Sequence, residues 1–246
     1  MKEALVYLLA IAVAEVITVI IQPVWGIVFH IIVLAALILH SALASQRVYQ
    51  QLLLSLALVP LVRIISLSMP LANIPQIWWY PIVYAPLLAA AFQVARILGY
   101  NLEQIGLNFK RILIQLAVAL TGFVFGLAEY FILTEEAETT SLVLQETWLL
   151  SAFLLLVCTG FVEELIFRGV LQRSAVEIFG WRGIVYVSML FAIVHLIHYS
   201  AVDIIFVFVV AIFFGWIVKK TGSIFGVTLS HGIANIVLFL VAPLLF

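Results

Sequence analysis

Residues 148–173 read WLLSAFLLLVCTGFVEELIFRGVLQR. At ~1.5 Å of rise per residue, a helix of this length crosses the ~30 Å hydrocarbon layer of a bilayer. Its middle nevertheless holds two adjacent carboxylates, Glu163 and Glu164, and an arginine, Arg168, four positions after the second. Ionisable groups at that depth are costly, so each marks a functional site whose partners should be identifiable.

Working outward, apolar runs of similar length recur at roughly 4–21, 24–45, 52–69, 77–98, 111–133, 182–198, 202–218 and 223–245. A transmembrane β-strand would alternate apolar and polar residues over ~10-residue segments, and these runs do not. The chain reads as an all-α, polytopic transmembrane helical bundle with eight or nine spans, one short segment being able to re-enter. Two thirds of the residues are hydrophobic (66%) and few are charged (9%), which excludes an ordinary soluble domain. A net charge of −1 carries no electrostatic footprint for nucleic acid. The single cysteine, Cys158, has no internal partner and reads as a small apolar packing residue.

Punctuation falls between the runs: Pro23 at the first turn, Pro70 with Pro75 at the third, Thr221-Gly222-Ser223 at the last. The first run follows Lys2 without a small-x-small cleavage site and reads as a retained helix. Residues 101–110 are too polar to span and belong at the interface. A division near residue 100 separates N-terminal accessory helices, 1–100, from a core, 101–246, that carries the unusual polar groups. With the N-terminus in the cytoplasm, Lys2, Arg47, Arg96, Lys110, Arg111, Arg173, Arg182, Lys219 and Lys220 all fall on the cytoplasmic side. The opposite loops, near 22, 70–76, 134–147 and 199–201, hold no Lys or Arg, as the positive-inside rule demands. That asymmetry sets the orientation, and the cell (plasma) membrane is the expected location of this multi-pass protein, although the sequence itself does not select the membrane. Glu135, Glu136, Glu138 and Glu146 read as a solvated outer loop.

Three spans bring polar groups to one depth. Glu163 lies ~15 Å above Arg173, His195 ~20 Å beyond Arg182, and His231 ~17 Å beyond Lys220, with Asn235 one turn further. Glu164 and Arg168 form an i,i+4 acid–base pair in the favourable order. Glu163 is turned from Glu164 by about 100° and faces a different space. His231 and Asn235 share a face. A carboxylate here can act as general base toward water, with an imidazole orienting the same molecule. His231 and Asn235 can donate to the oxyanion formed when water attacks a peptide carbonyl. Other polar residues read as structural. Glu15 and Arg63 lie at matching depths, so an ion pair between them is expected, while His30 and His40 read as packing residues and His198 and Glu129 as interfacial.

These residues resemble the motifs of the CAAX-protease and bacteriocin-processing family, also called the Abi family, which includes the CAAX prenyl proteases of the Ras-converting type. Glu163-Glu164-Leu165-Ile166-Phe167-Arg168 is similar to EExxxR, Phe191-Ala192-Ile193-Val194-His195 to FxxxH, and His231-Gly232-Ile233-Ala234-Asn235 to HxxxN. The resemblance covers about residues 148–240, with the motifs in family order on separate spans. It implies an intramembrane endopeptidase whose site lies in a hydrophobic cavity open toward the cytoplasm. By that resemblance Glu163 and His195 activate water, His231 and Asn235 form the oxyanion hole, and Glu164 holds Arg168. Its partners would be the lipid bilayer and a peptide or prenylated-protein C-terminus. The family has been described both as zinc-dependent and as metal-free. Zn2+, if used, would take Glu163, His195 and His231, but HExxH is missing and Asn235 suits an oxyanion donor, so the metal-free version is favoured.

Other intramembrane proteases do not fit. A diaspartyl enzyme needs two aspartates and the chain has only Asp203, and no Gly-x-Ser nucleophile motif or HExxH is present. The rival class is a transporter or proton relay built from the buried Glu, Arg and His groups, with Glu15, Arg63 and Glu129 in its favour and the lack of repeat symmetry against it. A catalytically silent scaffold is a third reading, opposed by the intact motifs.

Overall fold

The computed structural model describes residues 2–69, 71–144 and 147–246. Pro70 and Glu146, read above as a turn residue and an outer-loop acid, lie outside the described residues. In chain order the helices are α1 (Lys2–Ile21), α2 (Pro23–Leu43), α3 (Arg47–Ser68), α4 (Gln76–Leu98), α5 (Ile112–Ile132), α6 (Thr134–Leu144), α7 (Trp148–Phe179), α8 (Arg182–His198), α9 (Ala201–Thr221) and α10 (Phe225–Leu245). Among the described residues eight are long and apolar enough to cross a membrane, and α8 is apolar but shorter. The architecture is the polytopic all-α bundle expected from the sequence. Leu9, Val24, Leu39, Leu113, Val124, Leu149 and Ile205 each expose more than half of their surface. An outward apolar face of this extent requires lipid around it.

Local chemistry sets the helix ends. Pro23 opens α2 at a position whose N–H would be unpaired anyway. Gly222 closes α9 in the left-handed conformation, with its N–H bonded to the Val218 carbonyl. The 134–147 segment differs from the expected loop, since Thr134–Leu144 is helical. Glu135 and Glu136 stand in its first turn, where the helix dipole favours carboxylates, and together with Glu138 they are exposed, as expected.

Two packing features position the site. The first is the approach of α5 to α10, where Gly122 and Gly126 form a Gly-x-x-x-Gly seam. A Cβ on Gly122 would lie 2.3 Å from the Ser230 carbonyl, and one on Gly126 2.3 Å from that of Ala234. Only glycine admits backbones this close, which is how membrane helices gain packing energy without a hydrophobic drive. Ser230 and Ala234 precede His231 and Asn235 directly, so the seam fixes which way those two side chains point. The second feature is α7, which widens to i→i+5 hydrogen bonding over Leu155–Glu163 and again over Leu165–Leu171. Such turns concentrate at functional positions. They also rotate Glu164 from Glu163 by somewhat less than the α-helical value.

The largest buried cluster runs from Ala4 to Val227 and draws on the first four helices as well as the last. Inside it, Glu15 and Arg63 form the expected ion pair, with two contacts of 2.9 Å and almost no exposure. His30, fully buried, lies 3.4 Å from the same carboxylate.

Candidate active site

A cavity of about 190 Å³ opens between α4, α5, α7, α8, α9 and α10, and Glu163, His195, His231 and Asn235 all line it. Glu164 and Arg168 stand behind its wall, 0% and 3% exposed. The cavity thus brings Glu163, His195, His231 and Asn235 together, and Glu164 and Arg168 are not among its lining residues.

His231 sits between the two glutamates. Its Nδ1 lies 2.9 Å from Glu164 Oε1 and its Nε2 3.9 Å from Glu163 Oε2. The first is a hydrogen bond. The second is too long for one and is an electrostatic contact only. Arg168 Nη1 donates to the same Glu164 oxygen at 2.9 Å. Glu164 thus holds two residues, where the i,i+4 spacing pointed only to Arg168. The Arg168 guanidinium also stacks 4.1 Å from the Phe191 ring centroid, and that ring packs edge-on against His231.

His195 is oriented from its own helix. Its Nδ1 lies 2.7 Å from the Phe191 carbonyl, which can only accept, so that nitrogen carries the proton and Nε2 is left with a lone pair. The α-helix ends at Val194, and the chain tightens to a 3₁₀ turn over His195–His198. The Val194 carbonyl at this break is taken by Arg63 Nη2 at 2.6 Å. The Glu15–Arg63 pair of the first helices thus reaches the turn that presents His195.

Two partners were not evident from the sequence. Tyr84 of α4 donates its hydroxyl to Glu163 Oε1 at 2.5 Å. Asn235 Nδ2 donates to Thr159 Oγ1 at 2.7 Å, and that hydroxyl in turn donates to the Leu155 carbonyl. Thr159 lies one turn before Glu163, a spacing that offered a signal. Tyr84 offered none, being an aromatic in an apolar helix. Glu129 and His198, expected at the interface, line the same cavity, and His198 Nδ1 pairs with Glu136 Oε1 at 2.8 Å. Glu136 is therefore more than a solvated outer acid.

The zinc alternative finds no support. By type, one carboxylate and two imidazoles suit that metal. Among the described residues, however, no group of three His, Cys, Asp or Glu side chains converges to hold a metal ion.

Chemically, the arrangement sets a carboxylate and an imidazole lone pair on one cavity with two potential donors, His231 Nε2 and Asn235 Nδ2. Residues 145–237 match the family model described as "Type II CAAX prenyl endopeptidase Rce1-like". All three sequence motifs fall inside that match. No curated protein and no solved structure matches the chain.

Proposed function

We propose that this protein is an intramembrane endopeptidase that hydrolyses a peptide bond in its bilayer-level cavity with Glu163 as general base. The family match over residues 145–237 supports the reaction class. The observation that carries the mechanism is the placement of Glu163 Oε2 and His231 Nε2 3.9 Å apart on a cavity that His195 and Asn235 also line.

In this reading Glu163 takes a proton from water while the water oxygen attacks the scissile carbonyl. His195, with its lone pair at Nε2, orients that water from the other side. Tyr84 holds the Glu163 carboxylate in place through its second oxygen. The oxyanion is met by His231 Nε2 and by the free N–H of the Asn235 amide. A ring that donates from Nε2 to the oxyanion and from Nδ1 to Glu164 carries both protons, and the flanking glutamates offset that charge. Glu163 then delivers its proton to the departing amine. The substrate is a membrane-associated peptide or a prenylated protein C-terminus. The distribution of Lys and Arg over the loops supports a cytoplasmic N-terminus, and with that orientation Leu133 and His198 put the cavity in the half of the bundle away from the cytoplasm, opposite to the side the family resemblance implied.

The test is cleavage of prenylated and unprenylated C-terminal peptides by the purified protein in liposomes. Glu163→Gln, which keeps shape and removes the base, should reduce turnover by about 10²–10⁴-fold with folding retained. Full turnover in that variant would refute the base assignment. One observation favours the runner-up, a proton relay: Glu129 and His198 extend the titratable lining toward Glu136. Proton flux into liposomes without turnover of any peptide would select it. The Glu15–Arg63 pair no longer speaks for that reading, because it is satisfied structurally.

A further inference from the structure

A second cavity, about 330 Å³, lies away from the site just described, at the corner where α7 and α9 meet the polar loop after α4. Arg168, Gln172 and Arg173 line it from α7, Lys219 from the end of α9, and Gln104 from the loop. Three of its side chains are cationic, and one lining carboxylate, Glu177, faces them.

Neither Arg173 nor Lys219 has a carboxylate partner among the described residues. Arg173 makes only a 3.5 Å contact to the Gln104 carbonyl and stacks on the Tyr100 ring, and its buried Nε has no hydrogen-bond partner. Arg168 is 3% exposed, and its Nη2 is likewise without a partner. Two cations without a carboxylate partner among the described residues, Arg173 and Lys219, thus border one open space. An anion that accepts several hydrogen bonds suits that lining.

The surroundings indicate where that anion comes from. The loop that contributes Gln104 turns Leu102 and Phe109 outward, 60% and 71% exposed. Glu103 and Lys110 are exposed on the same loop, and apolar side chains turned outward among charged ones suit a segment lying among headgroups and upper acyl chains. Basic pockets between membrane helices at this level take anionic lipid headgroups.

We propose that the cavity lined by Arg168, Gln172, Arg173 and Lys219 binds the phosphate of an anionic phospholipid headgroup. Arg168 is the shared element with the first cavity, since its Nη1 holds Glu164, which holds His231. Lipid bound here would steady that chain, a consequence that rests on the hydrolysis reading, whereas the binding itself does not.

The experiment is native mass spectrometry of the whole protein released from vesicles of equimolar phosphatidylcholine and phosphatidylglycerol. The wild type should retain one phosphatidylglycerol in preference to phosphatidylcholine. The double variant Arg173→Gln/Lys219→Gln should lower that retention by about tenfold or more, from ~1 kcal/mol for each cation at a membrane surface. Lys219→Gln alone, at an exposed side chain, should lower it by about fivefold and keeps the test open should the double variant misfold. Equal retention of both lipids, or unchanged retention in the variants, overturns the proposal. So does complete displacement by an equal concentration of inorganic phosphate, which would assign the site to a free anion. None of these readings depends on peptide cleavage.

Discussion

Replacing Glu164 by leucine, alone and together with Arg168→Leu, separates two roles that meet in one carboxylate. In the single variant the Arg168 guanidinium stays in place, 3% exposed, with its one ionic partner gone. An uncompensated buried charge of this kind costs about 3–5 kcal/mol. The Phe191 ring 4.1 Å away makes a cation–π contact that the wild type already has, so it offsets none of this loss. The net loss is a large part of the ~5–15 kcal/mol that keeps a typical domain folded. The double variant removes both charges, and an apolar pair of similar volume is often neutral relative to the ion pair it replaces. Stability should therefore return to within about 1–2 kcal/mol of wild type, while His231 Nδ1 still lacks its anchor. If His231 must be held to serve the oxyanion, turnover should stay down by about 10²–10³-fold, the usual loss for one such donor. Unfolding in detergent against a graded denaturant reads the first quantity, and peptide cleavage in liposomes the second. Recovery of both together would refute the link from Glu164 to His231. Wild-type stability in the single variant would refute the burial argument itself.

Three further outcomes are expected. Tyr84→Phe removes one hydroxyl donor from the Glu163 carboxylate and keeps the ring, so turnover should fall about ten- to a hundredfold with unchanged unfolding. An unaffected rate would mean that Glu163 is held by something else. Thr159→Val is nearly isosteric and frees the Asn235 amide from its acceptor. It should lower kcat by about tenfold with KM little changed, as for a contact that matters only in the transition state. Gly126→Ala drives a methyl into the Ala234 carbonyl, so it should destabilise the protein by about 1–3 kcal/mol and reduce cleavage by displacing Asn235. A variant as stable as wild type would show that α5 and α10 are not locked there.

What could be read from the chain alone followed from depth and spacing. Glu15 and Arg63 lie equally far from the helix ends that face one side, and a buried charge requires a partner at its own level, so their pairing was legible. The convergence of Glu163, His195, His231 and Asn235 on one cavity followed from the same reasoning. The partners of those residues did not. Tyr84 bonds to Glu163 across a helix interface whose existence depends on packing, and nothing in its neighbourhood distinguishes it from Tyr80. The double duty of Glu164 was hidden because Arg168 at i+4 already explained it. The wide turns of α7 were not legible either, since the single glycine in each, Gly160 and Gly169, does not by itself mark such a turn. In two places the chain itself carries the signal. Gly122 and Gly126 spell a helix seam, and Thr134-Glu135-Glu136 spells the start of a helix, masked by acids that suit a loop equally well.

The contact from Arg63 to the Val194 carbonyl has a bearing on what the first helices contribute. All three motifs sit in the C-terminal stretch that the family model matches, yet the turn presenting His195 is buttressed by a guanidinium from α3, itself anchored by a carboxylate on α1. A polypeptide cut down to the matched stretch would keep every signature residue and lose this brace. The leading helices thus brace the turn that carries His195, from outside the stretch that holds the motifs.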